Sequence, residues 1–248
     1  MQEIKIPHHG RRVDGCEYRP EGEGRFPIVI LSHGFNGHHS DQAHIAERLA
    51  ANGIGAVCYT FCGGGLRDES GFPTTQMTLF TEKQDLLAVL DEVRYWDWVD
   101  PEHIYLFGSS QGGMVSALAA EERKAQIRGM FLQYPAFCIA DDWREKYPLI
   151  EDIPEEVQLW DVTLGRAFAE SVHDFVLEEQ TGRFDKPVLI VHGTEDDVVP
   201  ISYSERAAER YPNAKLEVLS GEGHGFTPAG EQRTAEMVLA FVQEQEEK

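Results

Sequence analysis

Six short apolar runs punctuate the chain, each ending on glycine or polar turn residues: FPIVILSHG from Phe26, GIGAVCYTF from Gly53, HIYLFGSS from His103, IRGMFLQYP from Ile127, KPVLIVHG from Lys186 and KLEVLSGEG from Lys215. Runs this short without polar alternation are what strands covered on both faces look like. Between them, apolar residues recur at helical spacing over Ile45–Ala51, Leu79–Tyr95, Met114–Glu122, Ser202–Arg210 and Glu231–Gln245. Strand and helix therefore alternate, which predicts an α/β fold with a mainly parallel sheet flanked by helices, all in one domain over 1–248.

The alternation breaks once. From residue 136 to residue 185 no buried-strand run appears, and a structureless loop of about fifty residues is improbable, so an inserted helical subdomain is expected there. It carries Phe137, Trp143, Tyr147, Trp160, Phe168 and Phe175. Aromatic rings most often pack, so a small core of the insertion's own is the first reading, and an aromatic wall over a ligand, with Trp160 in it, is the second.

One pentapeptide changes the picture from fold to chemistry. Gly108-Ser109-Ser110-Gln111-Gly112 fits G-x-S-x-G only with Ser110 at its centre. HIYLF before it reads as strand and MVSALAAEER after it as helix, and a strand turning abruptly into a helix between glycines is a nucleophile elbow. A serine hydroxyl is too weak an acid to attack unaided, so it needs a histidine, and the histidine needs an acid to hold its tautomer. With the order serine, acid, histidine, both partners fall on loops after later strands. GEGHGF supplies His224 as the base, and VHGTEDDVVP offers Glu195, Asp196 and Asp197 for the acid. His33 and His192 lie too early in their strand-to-loop transitions for the base role, and packing or hydrogen bonding in those turns is expected of them.

In this order SHGF, GSSQGG, HGTEDDVVP and GEGHGF resemble the α/β-hydrolase superfamily over nearly the whole chain. Within it, SQGG, YPAF and IPEEVQLWDVTLGRAFAES leading into KPVLIVHG are similar to bacterial cinnamoyl (feruloyl) esterase-like hydrolases. The resemblance implies the α/β-hydrolase fold with residues 136–185 as a lid, and the family spacing G-x-x-D-x-x-V-P from Gly193 to Pro200 selects Asp196. It also implies an oxyanion hole from the backbone N–H groups of Phe35 and Gln111. In PAFCIADD it places Asp142, or next to it Asp141, against a phenolic hydroxyl, although both acids could instead cap a helix. Two departures stand out: Ser109 replaces the family's histidine before the nucleophile, and FCGGGLRDESG replaces the usual turn after the second long strand. The activity implied is hydrolysis of carboxylic esters through an acyl-enzyme, with small hydroxycinnamate or short-chain acyl esters as substrates. The rivals are a monoacylglycerol lipase, a small peptidase and a catalytically silent ligand-binding member of the fold.

Composition narrows the partners. Among 248 residues, 43 acidic against 22 basic give a net charge of −21, which repels phosphate backbones and anionic lipid, so neither nucleic acid nor membrane is expected. The N-terminus lacks an apolar signal core and no run approaches the roughly 18–20 apolar residues of a membrane span, so a cytoplasmic protein is expected. Cys16, Cys58, Cys62 and Cys138 are scattered and read as free thiols. His38, His39, Asp41 and His44 could suggest a metal, but Ser40 or Asp41 reads better as a helix N-cap; Cys58 and Cys62 lack further ligands, and Gly63–Gly65 lacks a phosphate-loop pattern. No metal or cofactor is implied, the expected partner is a small-molecule ester, and a homodimer is left open.

Overall fold

The computed structural model describes residues Met1 to Lys248. The chain opens with a hairpin of β1 (Gln2–His8) and β2 (Arg11–Tyr18), paired antiparallel from Gln2 with Glu17 to His8 with Arg11. No apolar run marks this hairpin in the sequence, because charged and apolar residues mix along it and β1 is largely exposed. Its turn, His9-Gly10, has φ of 42° and 77°, as a two-residue type I′ connection requires.

The six apolar runs are the remaining strands of the same sheet. They are β3 (Phe26–Ser32), β4 (Gly55–Tyr59), β5 (Val99–Ser109) and β6 (Gly129–Gln133), then, after an insertion carrying β7 (Glu156–Leu159) and β8 (Val162–Gly165), β9 (Val188–Gly193) and β10 (Ala214–Leu219). The eight strands are ordered β1-β2-β4-β3-β5-β6-β9-β10, parallel from β4 through β10. β4 and β6 are buried at every position, whereas β10, as the edge, is half-exposed.

The helices are α1 (Ala43–Ala51), α2 (Leu79–Val93), α3 (Gln111–Glu122), α4 (Ile139–Lys146), α5 (Arg166–His173), α6 (Leu177–Gln180), α7 (Ile201–Arg210) and α8 (Pro228–Glu246). Successive strand residues point to opposite faces, and the core divides accordingly. Ile28 and Ile30 join a cluster with Leu86, Leu90, Val115 and Leu118 of α2 and α3, while Val29 and Leu31 join another with Ile45, Leu49, Val238 and Phe241 of α1 and α8. Cover on both faces explains why these strands lack alternation.

The insertion differs from expectation in two ways. It is not helical throughout, since β7 and β8 form an antiparallel hairpin beside α4, α5 and α6. Nor do its rings close a separate core: Phe137, Trp143, Phe168 and Phe175 are buried in the cluster of the α2 and α3 face, and Tyr147 packs on it. The four cysteines are free and buried. No helix is long and apolar enough to cross a membrane.

Candidate active site

β5 delivers Ser110 to the carboxyl end of the sheet, next to the N-terminus of α3. Ser110 adopts φ 52° and ψ −121°, a conformation that side chains rarely take. Its surroundings hold it there. The Ser110 N–H donates to Gln133 O at 2.9 Å, and its carbonyl accepts from the N–H groups of Gly113 and Ala136, each at 2.9 Å. The flanking glycines are required by close approach: a Cβ on Gly108 would lie 2.3 Å from Gly112 O, and one on Gly112 2.3 Å from His33 O.

The turns after β9 and β10 complete the arrangement. Ser110 Oγ lies 2.9 Å from His224 Nε2, and His224 Nδ1 lies 2.9 Å from Asp196 Oδ2. The Asp196 side chain has no exposed surface. Its Oδ1 accepts from the N–H groups of Val198 at 3.0 Å and Val199 at 2.7 Å. Glu195 and Asp197, its neighbours in sequence, point into solvent. With Nδ1–H turned toward Asp196, Nε2 is free to accept the Ser110 proton.

Asp196 has a second imidazole against it. His192 Nε2 lies 3.1 Å from Asp196 Oδ2 and 3.0 Å from Val199 O, while His192 Nδ1 meets Ser204 Oγ at 2.7 Å. Burial lowers the His192 pKa, outweighing its carbonyl and carboxylate partners. His192 is thus neutral, its Nε2–H donated to Val199 O while the ring edge packs against the Asp196 carboxylate. His33 is also buried and neutral, its pKa pushed down to about 4 by burial. Its Nδ1 lies 2.7 Å from Gly34 O, and its Nε2 accepts from Phe61 N–H at 3.1 Å. That bond ties the loop after β3 to the one after β4.

Phe35 lies in the loop after β3, with Gly34 stacked on Ser110, where an added Cβ would lie 3.1 Å from Ser110 Cβ. Gln111 is the first residue of α3, where a backbone N–H has no acceptor within the helix. The Gln111 side chain turns inward, its Nε2 donating to both Glu82 carboxyl oxygens at 2.9 and 2.8 Å. Glu82 is buried on α2, and burial pushes its pKa up to about 8. The sequence reading missed it. The signal was present, because Glu82 interrupts the buried stripe of Leu79, Leu86, Val89 and Val93 at helical spacing.

Two cavities open on Ser110. An apolar one of about 190 Å³ runs under the insertion between Phe35, Trp143, Leu159, Trp160 and Phe168, with Asp142 and Lys146 on its wall. A polar one of about 370 Å³ lies against His224, Ser109, Gln133 and Glu231. Trp160, at φ 49° in the β7–β8 turn and 62% exposed, stands at both mouths with its ring 5.5 Å from that of Phe35. The two candidate acids separate. Asp142 lines the apolar cavity, whereas Asp141 does not: its oxygens meet Arg144 at 2.9 Å and the Tyr203 hydroxyl at 2.7 Å. Neither caps α4, whose N-cap is Cys138 without a side-chain bond.

The histidines after β3 serve structure. His38, not Ser40 or Asp41, is the cap of the short turn before α1, with Asp41 answering its backbone N–H at 2.9 Å. His39 meets Thr60 Oγ1 at 3.0 Å, and His44 faces Glu231 at 3.6 Å.

Comparison with known proteins places the fold. Est1E from Butyrivibrio proteoclasticus, solved with ferulic acid bound, superposes with a TM-score of 0.90 at 29% identity, covering 99% of this chain and 100% of that one. The uncharacterized protein Rv2307c of Mycobacterium tuberculosis is 28% identical over 217 residues, 87% of this chain and 69% of its own length. Monoacylglycerol lipase ABHD6 of Rattus norvegicus is 24% identical over 269 residues, 88% of this chain and 76% of its own. Residues 168–248 match the family described as TAP-like protein. Because residues 25–173 match the family described as serine aminopeptidase, S33, the chain belongs to that family of α/β-hydrolases and resembles feruloyl esterase.

Proposed function

We propose that the protein hydrolyses carboxylic esters of small aromatic acids, with Ser110 as nucleophile, His224 as general base and then acid, and Asp196 as the group that orients His224. The observation carrying this is the continuous relay of two 2.9 Å contacts ending at Ser110 Oγ, at the mouth of an apolar cavity. Ser110 attacks the ester carbonyl as His224 takes its proton, and the N–H groups of Phe35 and Gln111 receive the oxyanion. His224 then protonates the leaving alcohol, and water, activated by the same imidazole, releases the acid.

Cavity size favours a compact acyl group. At about 190 Å³ and lined mostly by apolar side chains, the cavity suits a single ring on a short tether. Trp143, Phe168 and Trp160 give that ring apolar and edge contacts. At the wall, Asp142 and Lys146 stand one helical turn apart on α4 and offer an acceptor and a donor to a phenolic hydroxyl. Ferulic acid bound to Est1E is a ligand of this kind. The family's description favours a second reading, an aminopeptidase. Against it, the sole carboxylate lining the acyl cavity, Asp142, is accompanied by Lys146, so an α-ammonium group finds no net negative site.

The test is hydrolysis of methyl ferulate, p-nitrophenyl butyrate and leucine p-nitroanilide by the wild type, Ser110→Ala and Trp160→Ala. Both esters are cleaved by the wild type, and Ser110→Ala loses about three orders of magnitude or more. Trp160→Ala lowers kcat/KM for methyl ferulate relative to the butyrate by about tenfold, the scale of one lost aromatic contact. Faster cleavage of the anilide than of either ester would establish the peptidase reading instead.

A further inference from the structure

The polar cavity has no part in holding the acyl group, yet it borders the same two catalytic atoms. We propose that it receives the departing alcohol, and that Glu231 makes it a site for neutral or cationic alcohols and against alcohols bearing a carboxylate. This rests on the reading of Ser110 as an ester-cleaving nucleophile. In acylation, the bond from Ser110 Oγ to the carbonyl carbon forms, and the bond from that carbon to the alcohol oxygen breaks. The proton held on His224 Nε2 passes to that oxygen, so the free alcohol is released on the His224 side, where the polar cavity lies.

The charges around this cavity do not cancel. No lysine or arginine lines it. Asp41 is already satisfied, its Oδ1 and Oδ2 receiving the Arg67 guanidinium at 2.8 and 2.5 Å. Glu231 is different. Its Oε1 accepts from the neutral Gln133 amide at 2.9 Å, its Oε2 faces His44 at 3.6 Å, and its side chain keeps 28% of its surface exposed. The N-terminal turn of α8, to which Glu231 belongs, complements its charge from behind. An alcohol carrying a carboxylate would therefore meet Glu231 with no fixed cation on the wall.

The remaining polar groups suit hydroxyls. Ser109 lines this cavity and accepts from Gln42 Nε2 at 3.1 Å, leaving its own proton to donate.

The experiment measures kcat/KM at pH 8 for three esters of one acid, prepared with both ferulate and butyrate: the glycol ester (neutral), the choline ester (cationic) and the lactate ester (anionic). The wild type should disfavour the lactate ester against the glycol ester by about tenfold, the Coulomb interaction of two unit charges several ångströms apart at a partly solvated site. In Glu231→Gln that ratio should close to within about twofold, with the choline ester losing ground to the glycol ester. Glu236→Gln, an exposed acid farther along α8 that pairs with Arg48, should leave all ratios as in the wild type. Each ratio is taken within one preparation, so partial loss of folded protein cancels. Equal turnover of the glycol and lactate esters by the wild type overturns the inference. So does a ratio that survives Glu231→Gln, or one that closes equally in Glu236→Gln and so reports only the net charge. Failure of the wild type to cleave any ester in either series would instead bring down the esterase reading itself.

Discussion

Ser110 is held in a backbone conformation that glycine would adopt freely, and replacing it separates strain from chemistry. At φ 52° and ψ −121° a side-chain-bearing residue costs about 1–3 kcal/mol. The bonds to Gln133, Gly113 and Ala136 that impose this conformation are all made by the Ser110 backbone, so substitution leaves them in place. Ser110→Ala and Ser110→Gly both lose the hydroxyl and its contact with His224; only glycine removes the strain. Against that gain stand the extra entropy of an unfolded glycine, about 0.4–1 kcal/mol, and a few tenths for the lost methyl contact with Gly34. The net expectation is that Ser110→Gly is more stable than Ser110→Ala by about 1 kcal/mol, a Tm higher by roughly 2–4 °C for a chain of this length. Thermal unfolding followed by circular dichroism, with the two variants in the same buffer, measures it. A Ser110→Gly protein that melts at or below Ser110→Ala would refute the reasoning, since the elbow would then hold no strain.

Three further outcomes follow from the packing around the elbow. Burial raises Glu82 to about 8 and Asp85 to about 7, in Asp85 despite Arg11 at 3.4 Å. The folded protein thus binds these protons more tightly than the unfolded chain. Their contribution is full below the ordinary carboxylate pKa and is lost as pH rises toward 7–8, at up to about 1.4 kcal/mol per unit per group. Tm should fall between pH 5 and pH 8.5, less steeply in Glu82→Gln; equal slopes in the two proteins would contradict this. Gly112→Ala places a Cβ 2.3 Å from His33 O and 2.4 Å from Ser32 O, so a loss of about 3 kcal/mol or more is expected by urea unfolding. Gly34→Ala, whose nearest contact is Ser110 Cβ at 3.1 Å, should lower kcat with little change in the urea midpoint.

How much of this was legible in the sequence depended on range. The parallel strands were legible because most carry a run of consecutive apolar residues, the edge strand β10, with Lys215 and Glu217, being the exception, and the elbow because a strand, two glycines and a helix are contiguous at Ser110. The β1–β2 hairpin was not, since only one face of a peripheral strand needs to be apolar and charged residues interrupt it. The β7–β8 hairpin, with Trp160 at its turn, was hidden in a stretch whose aromatic content could not distinguish sheet from helix. Asp141 and Asp142 are adjacent in sequence but about 100° apart around α4, so one meets Arg144 and Tyr203 and the other the cavity. Helical phase, not composition, separates them. The pairing of Glu82 with Gln111 spans 29 positions, and the contact of His192 with Asp196 depends on how the turn after β9 folds back on itself.

The acids around Ser110 show why composition alone is a poor guide to a site. Asp196 is buried but held by donors, two backbone N–H groups on Oδ1 and the His224 ring on Oδ2, so its polar atoms are partnered. Glu82 is equally buried but has only an amide for company, so its neutral form is favoured and it can fix Gln111 without placing a charge behind the oxyanion. That difference has a functional sense, because a full negative charge beside Gln111 would oppose the charge developing on the substrate. Asp41 is neutralised by Arg67. Of the four, Glu231 alone keeps a carboxylate turned to a cavity without a strong cation against it. The three satisfied acids orient or support groups of the protein, and the one left open is, on the proposal above, the one whose charge the departing alcohol meets.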